Sequence, residues 1–454
     1  MKSFKIYTIL SIVMLFLGAS CNVLDQENPS DIIESEVSIS MEALRVGMYS
    51  SLQSRDYYGG NYPLTADGFS DNGATGGFNF PALDEVGARA ITPSNQIIEK
   101  IWVAVYKSIN AANNVLTRID NAKDLDEKTM KSIKGEALFV RALSHFDALR
   151  MWGAHWDQGS AFGIPVVNKP QGFTEIVGRS SVAGTYAAIL ADLKSAEALI
   201  TDDSNGKGYI THTVVNALSA RVYLYANDNA KAVEYANKVI DTKKYVFFNP
   251  SDFLVTYTGR QTRESVFELI FDAQNQSIYN FATYSRPDAF RTEISYFASS
   301  DLDTFFMSRK NDVRAESVNF KDNDASISPD GRSEKYRGEK LRDNPAYIIR
   351  YAEILLIAAE AKGKTAGLAD LNTLHTARGM AAIKASDVST DAAYTAAIQD
   401  ERRAELNMEG HRYFDLARIG QVETVLGIGV LPVFPIPFRE LTATKGAIKQ
   451  YPGY

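Results

Sequence analysis

The sequence predicts a mainly α fold in which tetratricopeptide-like helix pairs form a scaffold, joined to a loop-rich half containing short strands. Three observations carry this. Two regions place apolar residues three and four apart, the spacing of one helix face. Small alanines recur at the close contacts of one helix pair, at 217, 220, 232 and 236. Between the helical regions lie long stretches rich in Gly, Asn, Asp and aromatics that follow no helical period.

At the N-terminus, Lys2 and Lys5 precede "IYTILSIVMLFLG". This run has the length of a signal-peptide core and falls short of the ~20 apolar residues that span a bilayer. "GAS" follows, then Cys21, the only cysteine of the 454 residues. A lone Cys after a small-residue cleavage site predicts a lipoprotein. Residues 1–20 are the signal peptide, Cys21 the lipidated N-terminus, and 21–38 a polar tether. Gly18 stands where the lipobox pattern carries Leu, with Leu17 one place early. The mature protein is expected to be anchored to a membrane without spanning it. A net charge of −7, with no clustered basic face, argues against a nucleic-acid partner.

Residues 39–454 are expected to form a single domain, its helical frame at about 40–56, 94–152, 182–242 and 346–427. "SMEALRVGMYSSLQ" and "IIEKIWVAVYKSINAANNVLTRI" show the helical period. In "GEALFVRALSHFDALRMWG", Phe139, Ala142, Phe146 and Leu149 form one stripe. "AGTYAAILADLKSAEALI" continues the series, and "VVNALSARVYLYANDNAKAVEYANKVID" breaks at Asn227-Asp228-Asn229 into two helices. "PAYIIRYAEILLIAAEAKGK" is expected as a helix over its whole length, with "LADLNTLHTARGM" pairing against it. The loop-rich half covers about 57–93, 152–180 and 245–345, where "ESVFELIFD" alternates as a strand. Loops this long in a compact domain are usually functional.

The densest chemistry lies in "ERRAELNMEGHRYFDLARIG", residues 401–420. On a helix over 394–409, Tyr394, Ala397, Glu401, Ala404 and Met408 share one stripe, which sets Glu401 in an apolar face. A buried carboxylate needs a partner, and Arg402, Arg403, Arg412 and Arg418 lie close in sequence. Gly410 is placed to end the helix. No nucleophile with its base, carboxylate pair or metal set is legible, so these charges are expected to be architectural, with no catalytic residue and no metal. His145 and His411 are expected to be structural groups. "KDNDASISPDG" at 321–331 has its Gly in the wrong place for an EF-hand and is expected to be an acidic surface loop.

At these same residues the chain resembles the SusD/RagB family of nutrient-binding outer-membrane lipoproteins. The 401–420 run is similar to that family's E-R-R-x-E-L…E-G-x-R-x-x-D-L-x-R signature, and "IIRYAEILLIAAEA" to its R-Y-A-E-x-L-L segment. The helix from Gly135 resembles another family segment, with Gly in place of its leading Ala. "WVAVYKSINAANNVL", "NDVR" at 311, and the terminal "LPVFPIPFREL…QYPGY" match further segments. The resemblance implies capture of oligosaccharide, or in some members peptide, at the cell surface. It implies a TonB-dependent, SusC-like transporter as partner, and neither a cofactor nor catalysis. Other readings are an interaction scaffold without its own glycan site, a peptide-binding RagB-type member, or a glycoside hydrolase with a hidden carboxylate pair.

Sugars lay apolar C–H faces on aromatic rings while polar side chains take their hydroxyls. The expected ligand contacts are therefore loop aromatics and their polar neighbours. From 57–81 come Tyr57, Tyr58, Tyr62, Phe78 and Phe80, with Asp67, Asp71 and Asn72 between them. Trp156, Tyr284 and Arg286 complete the set. Trp102 and Trp152 are expected to be structural.

Overall fold

The computed structural model describes residues 40–454 apart from 77–79, 124, 173–174, 205, 280–281, 284–293, 320–330 and 337–342. Cys21 and the tether, Phe78, Tyr284, Arg286 and most of the 321–331 loop lie outside the described residues. Fifteen α-helices are present among the described residues. They are α1 (Met41–Leu52), α2 (Asn61–Phe69), α3 (Pro81–Gly87), α4 (Gln96–Arg118), α5 (Glu127–Trp152), α6 (Val182–Leu199), α7 (His212–Tyr225) and α8 (Asn229–Ile240). There follow α9 (Val255–Thr258), α10 (Ser300–Met307), α11 (Tyr351–Ala377), α12 (Asp391–Glu405), α13 (Arg412–Arg418), α14 (Val422–Leu426) and α15 (Phe438–Ala443). Residues Leu44–Tyr454 form one compact unit.

Side-chain caps set the starts of the frame helices. Asn95 accepts from the N–H groups of Ile97 and Ile98 at α4, Asp126 from Thr129 at α5, and Ser181 from Gly184 at α6. Thr211, Asp228 and Thr390 do the same for α7, α8 and α12. Each cap satisfies a donor that the helix itself leaves unpaired. The helices then stack in chain order: α4 on α5, α5 on α6, α6 on α7, α7 on α8, α8 on α11 and α11 on α12. The Phe139, Ala142, Phe146 and Leu149 stripe is fully buried, and from Gly135 to Trp152 almost every residue of α5 is enclosed. Such a helix is surrounded on all sides, so this half of α5 is the centre of the frame.

The pairing expected of 345–364 with 368–380 is present as a hairpin inside α11. Gly363, at φ +69, breaks the helical path. The returning arm passes so close that a Cβ on Gly367 would lie 2.0 Å from the Ala359 carbonyl oxygen.

Three antiparallel strand pairs complete the described residues: β1 (Gly73–Thr75) with β3 (Tyr296–Ala298), β2 (Ser265–Leu269) with β6 (Ala346–Arg350), and β4 (Val318–Asn319) with β5 (Arg332–Ser333). The strand expected in "ESVFELIFD" is β2. Its partner corrects the reading of 345–364: residues 346–350 are strand, and the helix begins only at Tyr351. A short run rich in Tyr and Ile fits either state, and antiparallel pairing with the buried strand β2 decides it. The helix around 401 likewise ends at Glu405, one turn earlier than expected.

Candidate functional site

The largest correction concerns 57–81. Far from being a free loop, it contains α2, whose residues Tyr62 to Phe69 are all buried. Tyr57, Tyr58 and Tyr62 are 0%, 6% and 2% exposed. Their hydroxyls converge on Asp147 of α5 at 2.6, 2.6 and 3.0 Å, and Arg150 also donates to that carboxylate. Burial raises all three phenol pKa values, which keeps them neutral donors. These three tyrosines pin the segment to the centre of the frame and offer no ring face to a ligand.

Asp67, Asp71 and Asn72 are interior as well. Asp71 takes two bonds from Arg412, at 2.7 and 2.9 Å, while Asn72 accepts from Arg403 at 2.9 Å. Burial alone would raise the Asp71 pKa; the bonded Arg412 outweighs it and lowers it. Asp67 accepts the N–H of Gly410, which sits at φ +80 against Pro63, where a Cβ would meet the Pro63 Cα at 2.7 Å. The three polar residues thus clamp α2 and β1 to α12 and α13.

Asp67 yields a pH signature. Burial pushes its pKa up to about 8, only partly opposed by the Gly410 N–H. Between pH ~4 and ~8 the unfolded carboxyl is ionised while the folded one keeps its proton, so its contribution to stability falls as pH rises through that window. Asp67→Asn removes this term. The variant is expected to gain a few kcal/mol, in order of magnitude, relative to the parent between pH 4.5 and 7.5 in urea unfolding. A difference that does not change with pH would refute the assignment.

The charges of the 401–420 run are paired in the interior, and Glu401 takes partners other than the expected arginines. Glu401 is held by Arg314 (2.7 Å), Arg309 (2.8 Å) and His375 (2.8 Å), all from outside the run. Burial alone would raise its pKa; Arg314 and the His375 bond outweigh this and hold it at about 2. Glu405 joins Arg350 at 2.7 Å and Arg378 at 3.0 Å, and Glu409 takes Arg350 and Lys335. The nearby arginines serve elsewhere: Arg402 pairs with Asp415 and Arg418 with Glu360. His145 accepts the Val167 N–H, and burial lowers its pKa to about 3, so it stays neutral. Among the described residues no cluster of His, Cys, Asp and Glu suited to a metal ion occurs.

Some aromatic side chains stay at the surface instead. Strand alternation turns Tyr296 inward, its hydroxyl 3.2 Å from Thr65 Oγ1, and Phe297 outward to a half-buried position. The Phe297 ring lies over Gly76, where a Cβ would approach it to 3.3 Å. Phe80, four residues on, is 38% exposed. Phe297 was missed from sequence, although the alternation in "ISYFA" carries its signal. Trp156 is half-buried, edge-on to Tyr451 at 6.3 Å, with Phe162 on the same tyrosine at 5.4 Å. The C-terminal segment thus covers part of Trp156. Trp102 and Trp152 are interior and pack together at 4.8 Å.

Two family models match this chain. "Starch-binding associating with outer membrane" of the SusD-like type covers residues 22–224, and the "SusD family" model covers 319–429, together more than two thirds of the chain. The chain belongs to the SusD family. SusD-like protein P2 of Formosa agariphila is 24% identical to this family member over 99% of the chain and 100% of its own length. A SusD superfamily crystal structure from Bacteroides vulgatus superposes with TM-score 0.78 at 25% identity, over 91% of this chain and 98% of its own. Surface glycan-binding protein A of Bacteroides thetaiotaomicron, solved with laminarihexaose, gives TM-score 0.73 at 20% identity, over 91% and 99%. The first family model takes in the 57–81 segment together with the first helices of the frame.

Proposed function

We propose that this SusD-family protein is a cell-surface binding protein that captures oligosaccharides for import through a TonB-dependent, SusC-like transporter, held to the outer membrane by lipid on Cys21. The observation that carries it is two accessible aromatics: Phe297, on the β1 and β3 strand pair that the buried clamp fixes to the frame, and Phe80, at the start of α3. Rigid aromatic platforms suit C–H faces of sugars, and a fixed platform loses little entropy on binding. The laminarihexaose carried by the Bacteroides thetaiotaomicron relative supports a saccharide over a peptide. Phe78, Trp156, Tyr284 and Arg286 are retained as further contacts. The acids of 401–418 are committed to arginines, which supports binding without turnover. Among the described residues no helix is long and apolar enough to cross a membrane.

The test is calorimetric titration of residues 22–454 with plant, host and microbial oligosaccharides and mixed peptides, followed by a search for products. Saturable saccharide binding without products is the expected result. Product formation would replace this reading with a hydrolase, and silence across the panel would replace it with a transporter scaffold. Co-purification of a TonB-dependent transporter from native outer membranes tests the partner.

A further inference from the structure

A separate cleft of about 270 Å³ opens between the first turns of α5 and the end of α6. Its floor is aliphatic, made by Ile133, Leu199 and Ile200. Its walls carry Arg45, Lys128, Ser132 and Asp202. Tyr209, 48% exposed, neighbours Arg45 of that wall. The Arg45 guanidinium lies 5.7 Å from the Tyr209 ring centre, and Tyr49 packs edge-on against that ring at 6.0 Å. The ring is therefore held in place with about half its surface open.

The charges of the cleft are matched in pairs. Arg45 grips Glu136 with two bonds of 2.7 and 2.8 Å. Lys128 meets Asp202 at 3.3 Å, and where the cleft continues along α5, Lys131 meets Glu127 at 2.6 Å. Asp126 adds one more carboxylate as the cap of α5. A charged ligand gains no net attraction there, and an anion meets a slight acidic excess. A neutral polyol finds donors and acceptors side by side over aliphatic side chains, with one exposed aromatic ring next to the Arg45 wall.

Gly135 makes room for the floor. A Cβ at this position would lie 2.5 Å from Ile200 Cγ1. Glycine inside a helix is unfavourable by about 1 kcal/mol relative to alanine, and here it lets Ile200 sink to 3% exposure.

We propose that this cleft is a second carbohydrate site, for one or two rings of a neutral saccharide, independent of the Phe80 and Phe297 face. Residues 22–454 keep the compact unit whole. They would be titrated with maltohexaose, laminarihexaose and xylohexaose, and with oligogalacturonate as the anionic probe, as parent and as the Phe80→Ala/Phe297→Ala double variant. The double variant is expected to retain binding of at least one neutral hexasaccharide. Adding Tyr209→Ala or Gly135→Ala should weaken that residual binding about tenfold, and oligogalacturonate should not compete. Tyr209→Ala, on the surface, tests the site should Gly135→Ala disturb folding. Loss of all binding in the double variant overturns the cleft and leaves the loop face standing. So does residual binding indifferent to Tyr209→Ala. Binding that ignores Phe80→Ala and Phe297→Ala but needs Tyr209 keeps the cleft and removes the loop face. No neutral saccharide bound by the parent removes both.

Discussion

Glu405→Gln is expected to lower the free energy of unfolding by about 3–5 kcal/mol, the cost of breaking a buried ion pair from one side. Glu405 is fully buried and accepts from Arg350 at 2.7 Å and twice from Arg378 at 3.0 Å, with Arg314 at 3.5 Å. Burial alone would raise its pKa, but Arg378 and Arg350 outweigh that and hold it well below the ordinary carboxylate range. Gln keeps the shape and one acceptor but leaves three guanidinium groups short of charge in a dry interior. Because the folded pKa is depressed, the carboxylate's contribution is present above the unfolded value near 4 and is lost as pH falls toward the folded value. The gap between parent and variant should therefore narrow in acid. Glu127→Gln is the control. Its Lys131 partner is 55% exposed, so solvent screens the pair and the unfolding midpoint should not move. Urea unfolding at neutral and acidic pH reads both results, and equal midpoints for parent and Glu405→Gln would refute the account.

That network also shows how far the sequence could be followed. The apolar stripe around Glu401 announces a buried carboxylate, and the need for a cation follows from it. The identity of the cation does not follow, because Arg314 lies 87 residues away in sequence and only the fold brings it to 2.7 Å. Helix pairs are legible for the opposite reason: their contacts are local, their period is strong, and each start carries its own cap. The 57–81 segment misleads because glycines and aromatics signal a loop and a sugar platform equally well. Neither feature reveals that Asp147, on a helix about 90 residues on, collects the three tyrosine hydroxyls. Among the expected ligand residues, burial thus removes Tyr57, Tyr58, Tyr62, Asp67, Asp71 and Asn72 and leaves Phe80 and Trp156 on the described surface.

Phe80→Ala and Tyr58→Ala should fail in different ways, and the contrast tests this assignment. Phe80 is 38% exposed, so its ring adds little to the core. Removing it should leave the unfolding midpoint nearly unchanged while weakening saccharide binding about tenfold, equivalent to about 1.4 kcal/mol. Phe297→Ala should act in the same direction. Tyr58 is 6% exposed, packs on Tyr57 at 4.5 Å and donates to Asp147 at 2.6 Å. Its truncation empties a ring-sized volume in the core and strips a buried carboxylate of one donor, together about 3–5 kcal/mol. The protein that remains folded should still bind saccharide with the parent's affinity, because the Tyr58 ring touches the frame and not the ligand. Calorimetry at a temperature where both variants are folded separates affinity from the fraction active. A Tyr58→Ala protein that is stable but binds tenfold more weakly would return the tyrosines to the ligand site. Unchanged affinity in both phenylalanine variants would move the site away from Phe297 on β3 and from Phe80 at the start of α3.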